Sequence, residues 1–172
     1  MRYAVLIGSQ LAVASAALWA RWGLDLGVSP AALTSWRLTV ASAMLIPVLH
    51  LRACPDDRRS LPWSTALTLI AAGAALGIHF WAWFVSLEHI PVARSTLLVS
   101  TTPLWAGLGL WAVTRSAPAR LFWVALGIAA LGVWLITGAT GSAQAVRPGG
   151  NPVYGDSMAT LGAVGIALYF LL

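Results

Sequence analysis

Six stretches of this chain run for 16 to 24 residues with almost no charge: Tyr3 to Ala20, Ala31 to His50, Ser64 to Leu87, Ser95 to Val113, Leu121 to Thr137 and Ser157 to Leu172. A hydrocarbon core about 30 Å thick takes roughly 20 apolar residues of helix. Backbone N–H and C=O groups find no water there, so open strands are excluded, and these runs are too long for barrel strands. The expected fold is all-α: a polytopic membrane helix bundle of five complete transmembrane helices and a truncated sixth.

Charge supports the same reading. Only 15 of 172 side chains are charged, 9% against the roughly 25% that a water-facing domain carries. The net charge of +5 does not imply nucleic acid, because the arginines stand singly or in one short cluster with no aromatic-interleaved basic stripe. The single cysteine, Cys54, excludes an internal disulfide framework and reads as a bystander thiol in a polar connection. Arg2, the first apolar run and Ala14-Ser15-Ala16 mimic a secretory signal, but the run continues through Trp19 and fits a retained first helix.

The connections set the orientation. Arg2, Arg52, Arg58, Arg59, Arg115 and Arg120 fall on one side, and Arg21, Arg37, Arg94 and Arg147 on the other. The richer side should be cytoplasmic, which puts the N-terminus on the cytoplasmic side of the cell (inner) membrane. Residues 139–156 hold Gly141, Pro148, Gly149, Gly150 and Pro152 and read as the linker between structural units. Small residues promise close helix packing: Gly73 and Gly77, Ala12, Ala16 and Ala20, Gly107 and Gly109, Gly162 and Gly165.

An ionisable group in a span costs roughly 2.5–3.5 kcal/mol at the helix centre, so such groups are the first candidates for function. His79 lies deep in the third run, and Trp83, four residues on, shares its helical face. They read either as a cavity wall for a substrate or as packing around a neutral histidine bonded to a neighbouring backbone. Glu88 and His89 close that run near the interface, where a gating or vestibule role is open to Glu88. Arg37, within the second run, either snorkels to the headgroups or meets an anion in the vestibule.

The fourth run is the most polar, with Ser95, Thr96, Ser100, Thr101 and Thr102 ahead of Pro103 and Trp105. Pro103 has no N–H, so the carbonyl of Val99 loses its helical donor and the helix should kink. In lipid a neighbouring helix, a hydroxyl or cavity water must satisfy that carbonyl. The hydroxyls line a translocation path, or they bond back to their own helix. Six of the ten tryptophans (Trp19, Trp22, Trp36, Trp63, Trp111 and Trp123) fall near run ends, as interface belts do. Trp81, Trp83, Trp105 and Trp134 lie deeper. The sequence has no H-E-x-x-H, C-x-x-C, G-x-S-x-G or P-loop, so an enzyme is not expected. No cofactor or metal site is expected either; His79 and His89 are ten apart, not the four of a helical metal pair.

From about Ala17 to Leu172 the residues resemble the drug/metabolite transporter superfamily, in its EamA (RhaT-like) branch. The resemblance rests on Arg21-Trp22-Gly23, on Ser35-Trp36-Arg37-Leu38, and above all on FVSLEHIPVARSTLLVSTTPLWAGL from Phe84 to Leu108. The helix Leu121 to Thr137 and Gly155-Asp156 with Ala167-Leu168-Tyr169 add to it. It departs from the family where a Gly-Glu-Arg step is common, since Arg115-Ser116-Ala117 stands there, and at Arg94, where small or apolar residues are usual.

The resemblance implies the first half of an inverted-repeat ten-helix transporter. Residues 1–138 would form the first five-helix repeat, 139–156 an inter-repeat loop, and 157–172 the first helix of a truncated second repeat. It implies an exporter or permease of small organic metabolites or drugs, working by alternating access. His79, Trp83, Ser100, Thr101 and Trp105 are the substrate-binding candidates. The expected partners are the bilayer, a small-molecule substrate, and the missing second repeat or a second copy of the chain. Two rivals are kept. One is a non-transport membrane protein, such as an accessory subunit or a nonfunctional remnant. The other is a small multidrug-resistance-type dimeric exporter, which needs an acid that Tyr3 to Ala20 lacks.

Overall fold

The computed structural model describes residues 2–52, 62–139 and 149–172. They form α1 (Arg2–Asp25), α2 (Pro30–Arg52), α3 (Trp63–His89), α4 (Val92–Val99), α5 (Thr102–Thr114), α6 (Arg120–Ala139) and α7 (Pro152–Leu171). Among the described residues there is no strand. Cys54, Arg58, Arg59 and Arg147 lie outside them.

Local chemistry sets the boundaries. α1 runs on to Asp25, where Gly27 takes the left-handed conformation (φ 87°) and its N–H bonds back to Leu24 O at 3.0 Å. Ser29 then caps α2 by accepting from Ala32 N–H. α3 stops at Ile90, held extended by Pro91, because proline disfavours helical backbone in the residue before it. α5 closes on Arg115 in the left-handed region, φ 57°.

Two boundaries differ from expectation. The fourth run is two helices, α4 and α5, broken at Ser100–Thr101. The last run begins at Pro152 rather than Ser157: Asn151 accepts from Tyr154 N–H and Pro152 occupies the first helical turn, where its missing N–H costs nothing. Pro30–Leu49, Trp63–His89, the α4–α5 stretch Val92–Thr114 and Pro152–Leu171 are long and apolar enough to cross a bilayer; Arg120–Gly132 is a shorter apolar helix. That is four spans by length and composition among the described residues, where the sequence suggested five and a sixth. α1 has 24 residues, about 36 Å of helix.

The exposed surface is itself apolar. Leu11, Leu18, Met44, Leu51, Leu67, Ile70, Ile128 and Phe170 all face outward, a pattern that fits lipid and not water.

α3 is the spine. It packs most extensively on α7, which runs antiparallel to it, and also on α2. The buried residues of α7 are all small: Gly155, Ala159, Gly162, Ala163, Gly165 and Ala167. A Cβ on Gly165 would sit 3.1 Å from Ala75 O and His79 N, and one on Gly162 would sit 3.3 Å from His79 O. Backbone meets backbone here, the closest approach that lipid-embedded helices use. Gly73 has nothing within 4 Å and Gly77 only Leu38, so that G-x-x-x-G does not make the seam. On the other side of α3, Trp83, Phe84 and Leu87 pack with Ala17, Ala20 and Leu24 of α1.

Gly165→Leu should therefore force α3 and α7 apart at a cost of about 1–3 kcal/mol. Thermal unfolding of the protein in detergent should show a clear fall in midpoint. Gly73→Leu should leave the midpoint unchanged.

Candidate functional site

The break between α4 and α5 is a short run of self-satisfied backbone. Pro103 frees the Val99 carbonyl, and Thr102 Oγ1 donates to it at 2.7 Å. Thr101 Oγ1 donates to Leu98 O at 2.6 Å, and Ser100 Oγ to Thr96 O at 2.8 Å. The hydroxyl protons thus bond back to their own helix, one of the two readings the sequence left open. Each hydroxyl oxygen keeps acceptor capacity. Trp105 uses it at Thr101, donating its indole N–H to Thr101 Oγ1 at 3.2 Å.

Beside the break lies a hollow of about 280 Å³, lined by Ser100, Thr101, Pro103 and Leu104 and by Phe122, Ala125, Leu126, Ala129 and Ala130 of α6. Gly107 permits this approach of α6, since a Cβ there would collide with the Phe122 ring. The hollow is thus apolar on the α6 wall and polar at the break.

The other two candidates sit elsewhere. His79 is buried, and its Nδ1 lies 2.8 Å from the Gly162 carbonyl across the α3–α7 seam. Trp83 stacks on His79 at 6.1 Å between centroids and is buried, with its indole N–H unpartnered among the described residues. The five residues thus fall into two groups, Ser100–Thr101–Trp105 at the break and His79–Trp83 on the spine. No hydrogen bond or ring contact joins the groups among the described residues.

Glu88 is half-buried at the end of α3 with no ion-pair partner among the described residues. Arg37 Cζ lies 4.5 Å above the Phe80 ring. Among the described residues no group of three or more potential metal ligands comes together.

Sequence reasoning missed the clamp that holds the break in place. Arg94, at the start of α4, grips Asp156, at the start of α7, through Nε to Oδ1 at 2.8 Å and a second bond from Nη2 to Oδ2. Such a fork is the strong geometry for an arginine and a carboxylate. Below it Ser86 and Ser95 share a buried hydrogen bond between α3 and α4. His89 meets Tyr154 edge-on, with ring centroids 4.9 Å apart. The available signal was an arginine and an aspartate, each opening an apolar run.

Thr102→Val should leave the Val99 carbonyl without its donor and cost about 1–3 kcal/mol in unfolding experiments in detergent or bicelles. Thr102→Ser, which keeps the hydroxyl, should lose far less.

No curated protein and no solved structure matched the chain in searches of either kind. The family model of the EamA-like transporter family matches residues 2–138. A match over well more than half of the length, on a helical chain with several membrane-crossing stretches, identifies the protein as a multi-pass membrane protein and a member of the EamA-like transporter family.

Proposed function

We propose that this chain forms the first half of a solute passage: an exporter or permease of small organic metabolites or drugs, operating by alternating access in the inner membrane with the N-terminus cytoplasmic. The observation that carries the reading is the broken α4–α5 span with a hollow at the break. Transporters place substrate at discontinuous helices, where irregular backbone is tolerated only if it lines a cavity or is buried in protein. Family membership supports transport as the activity and disfavours an enzyme.

Thr101 and Trp105 are the pair assigned to substrate. A ligand acceptor would draw the Trp105 N–H, and a ligand donor would meet the free lone pair of Ser100 or Thr101. Apolar parts would rest on Ala125 and Ala129. His79 and Trp83 belong to the same proposed half-site as the wall that turns toward the passage when the halves rock. Glu88 flanks the vestibule. The first repeat is taken as 1–138, and the opening of the second repeat as the helix α7, Pro152–Leu171. The chain would act with a second repeat or a second copy of itself. No cofactor enters the mechanism.

Proteoliposomes carrying the protein should move at least one member of a panel of amino acids, nucleobases and cationic drugs faster than empty vesicles. Trp105→Ala and Thr101→Val should each lower the initial rate roughly three- to tenfold, the kinetic equivalent of one lost hydrogen bond. Wild-type rates in both variants at equal membrane abundance would contradict the assignment.

A further inference from the structure

The second large hollow lies away from the break, between α1, α2 and α3. It measures about 520 Å³, within the roughly 300–1,000 Å³ of small-molecule sites. Ala12, Ala16 and Ala20 thin its α1 wall; Val40 and Met44 form the α2 wall; Phe84 is its floor. α1 and α2 meet where Gly23 receives Leu33, and the cleft lies between them beside that contact. Trp19, Trp36 and Met44 at its margin are 64%, 72% and 71% exposed.

One charge faces this apolar space. Arg37 lines the cleft. It stands seven residues, about 10 Å, inside α2 from Pro30. The ring beneath its guanidinium, Phe80, is nine residues, about 14 Å, inside α3 from His89. Helix α2 starts and α3 ends on the same side of the membrane, and Arg21 Nη1 bonding to Leu87 O ties α1 to α3 at that level. The guanidinium lies over Phe80, more than a helical turn in from either end of α2.

Neither ion pair among the described residues, Arg21–Asp25 and Arg94–Asp156, includes Arg37. Phe80 gives it a cation–π contact on one face, and its N–H groups have no hydrogen-bond or ion-pair partner among the described residues. A guanidinium at this depth calls for an anion, and the walls call for a hydrocarbon body.

We propose that this cleft is a lateral binding site for a single-chain anionic amphiphile taken from the bilayer, its carboxylate paired with Arg37 and its chain laid along the alanine wall of α1. The site includes none of the break residues, so it stands or falls separately from the transport reading.

The test uses the full chain in phosphatidylcholine nanodiscs with a photoactivatable oleate bearing a mid-chain diazirine. Adducts are expected within residues 12–20 and 33–44, removed by unlabelled oleate and about tenfold less well by oleyl alcohol, which lacks the charge. Arg37→Gln should cut labelling by about the same factor. Val40→Trp, which fills the cleft from a lipid-tolerant position, should abolish it with helicity retained, and it decides the matter if Arg37→Gln misfolds. Equal labelling of Val40→Trp, equal competition by oleyl alcohol, or displacement only by water-soluble indole-3-acetate would overturn the proposal.

Discussion

A backbone carbonyl released from its helix inside hydrocarbon has no water to bond, and this constraint shapes the region of greatest interest. Pro103 cannot donate to Val99, so the fourth span must break or find a donor. It does both. Ser100 and Thr101 leave the helix, and three consecutive hydroxyls take up Thr96, Leu98 and Val99 carbonyls. The cost of the break is thereby met within the segment itself. The surrounding helices need not supply donors, and α6 can present a purely apolar wall to the hollow.

A break so placed needs fixed neighbours, and the α3–α7 seam supplies them. In lipid, helices gain little from hiding apolar surface, so proximity and polar links decide association. The row of glycines and alanines on α7 brings its backbone against α3, and His79 spans the seam to the Gly162 carbonyl. At one end the Arg94–Asp156 fork holds α4 to α7, while Ser86 and Ser95 hold α3 to α4. The position of the break is thus set in part by Arg94–Asp156, a contact 62 residues apart in sequence. α7, which lies beyond the residues matched by the family model, packs against α3.

The sequence made the helices legible because hydropathy is a local property. It made the break half legible: Pro103 announced the lost hydrogen bond, but only the structure shows that the hydroxyls turn inward and that the chain divides at Ser100–Thr101. Pairwise features were hidden. Gly73 and Gly77 carried the familiar spacing and pack on nothing closer than Leu38, whereas Gly162 and Gly165 carry the contact, because a packing glycine is defined by its partner. The depth of His79 was readable; its acceptor, 83 residues away, was not. Arg94 stood out as an odd charge, and pairing with Asp156 gives it a structural reason. The start of α7 was missed because Asn151-Pro152, a helix cap, sits within a Gly/Pro-rich stretch that reads as linker.

Water access to the break is the property on which the transport account turns. Single cysteines at Ser100, Thr101 and Leu104, introduced after Cys54→Ser, can be probed in sealed vesicles with a membrane-impermeant maleimide, with Gly73→Cys as the control in open surroundings. The account predicts that Ser100→Cys and Thr101→Cys react from an aqueous face and that Gly73→Cys does not. Break positions as inert as Gly73→Cys would mean that the hollow never meets water and would contradict a solute passage there.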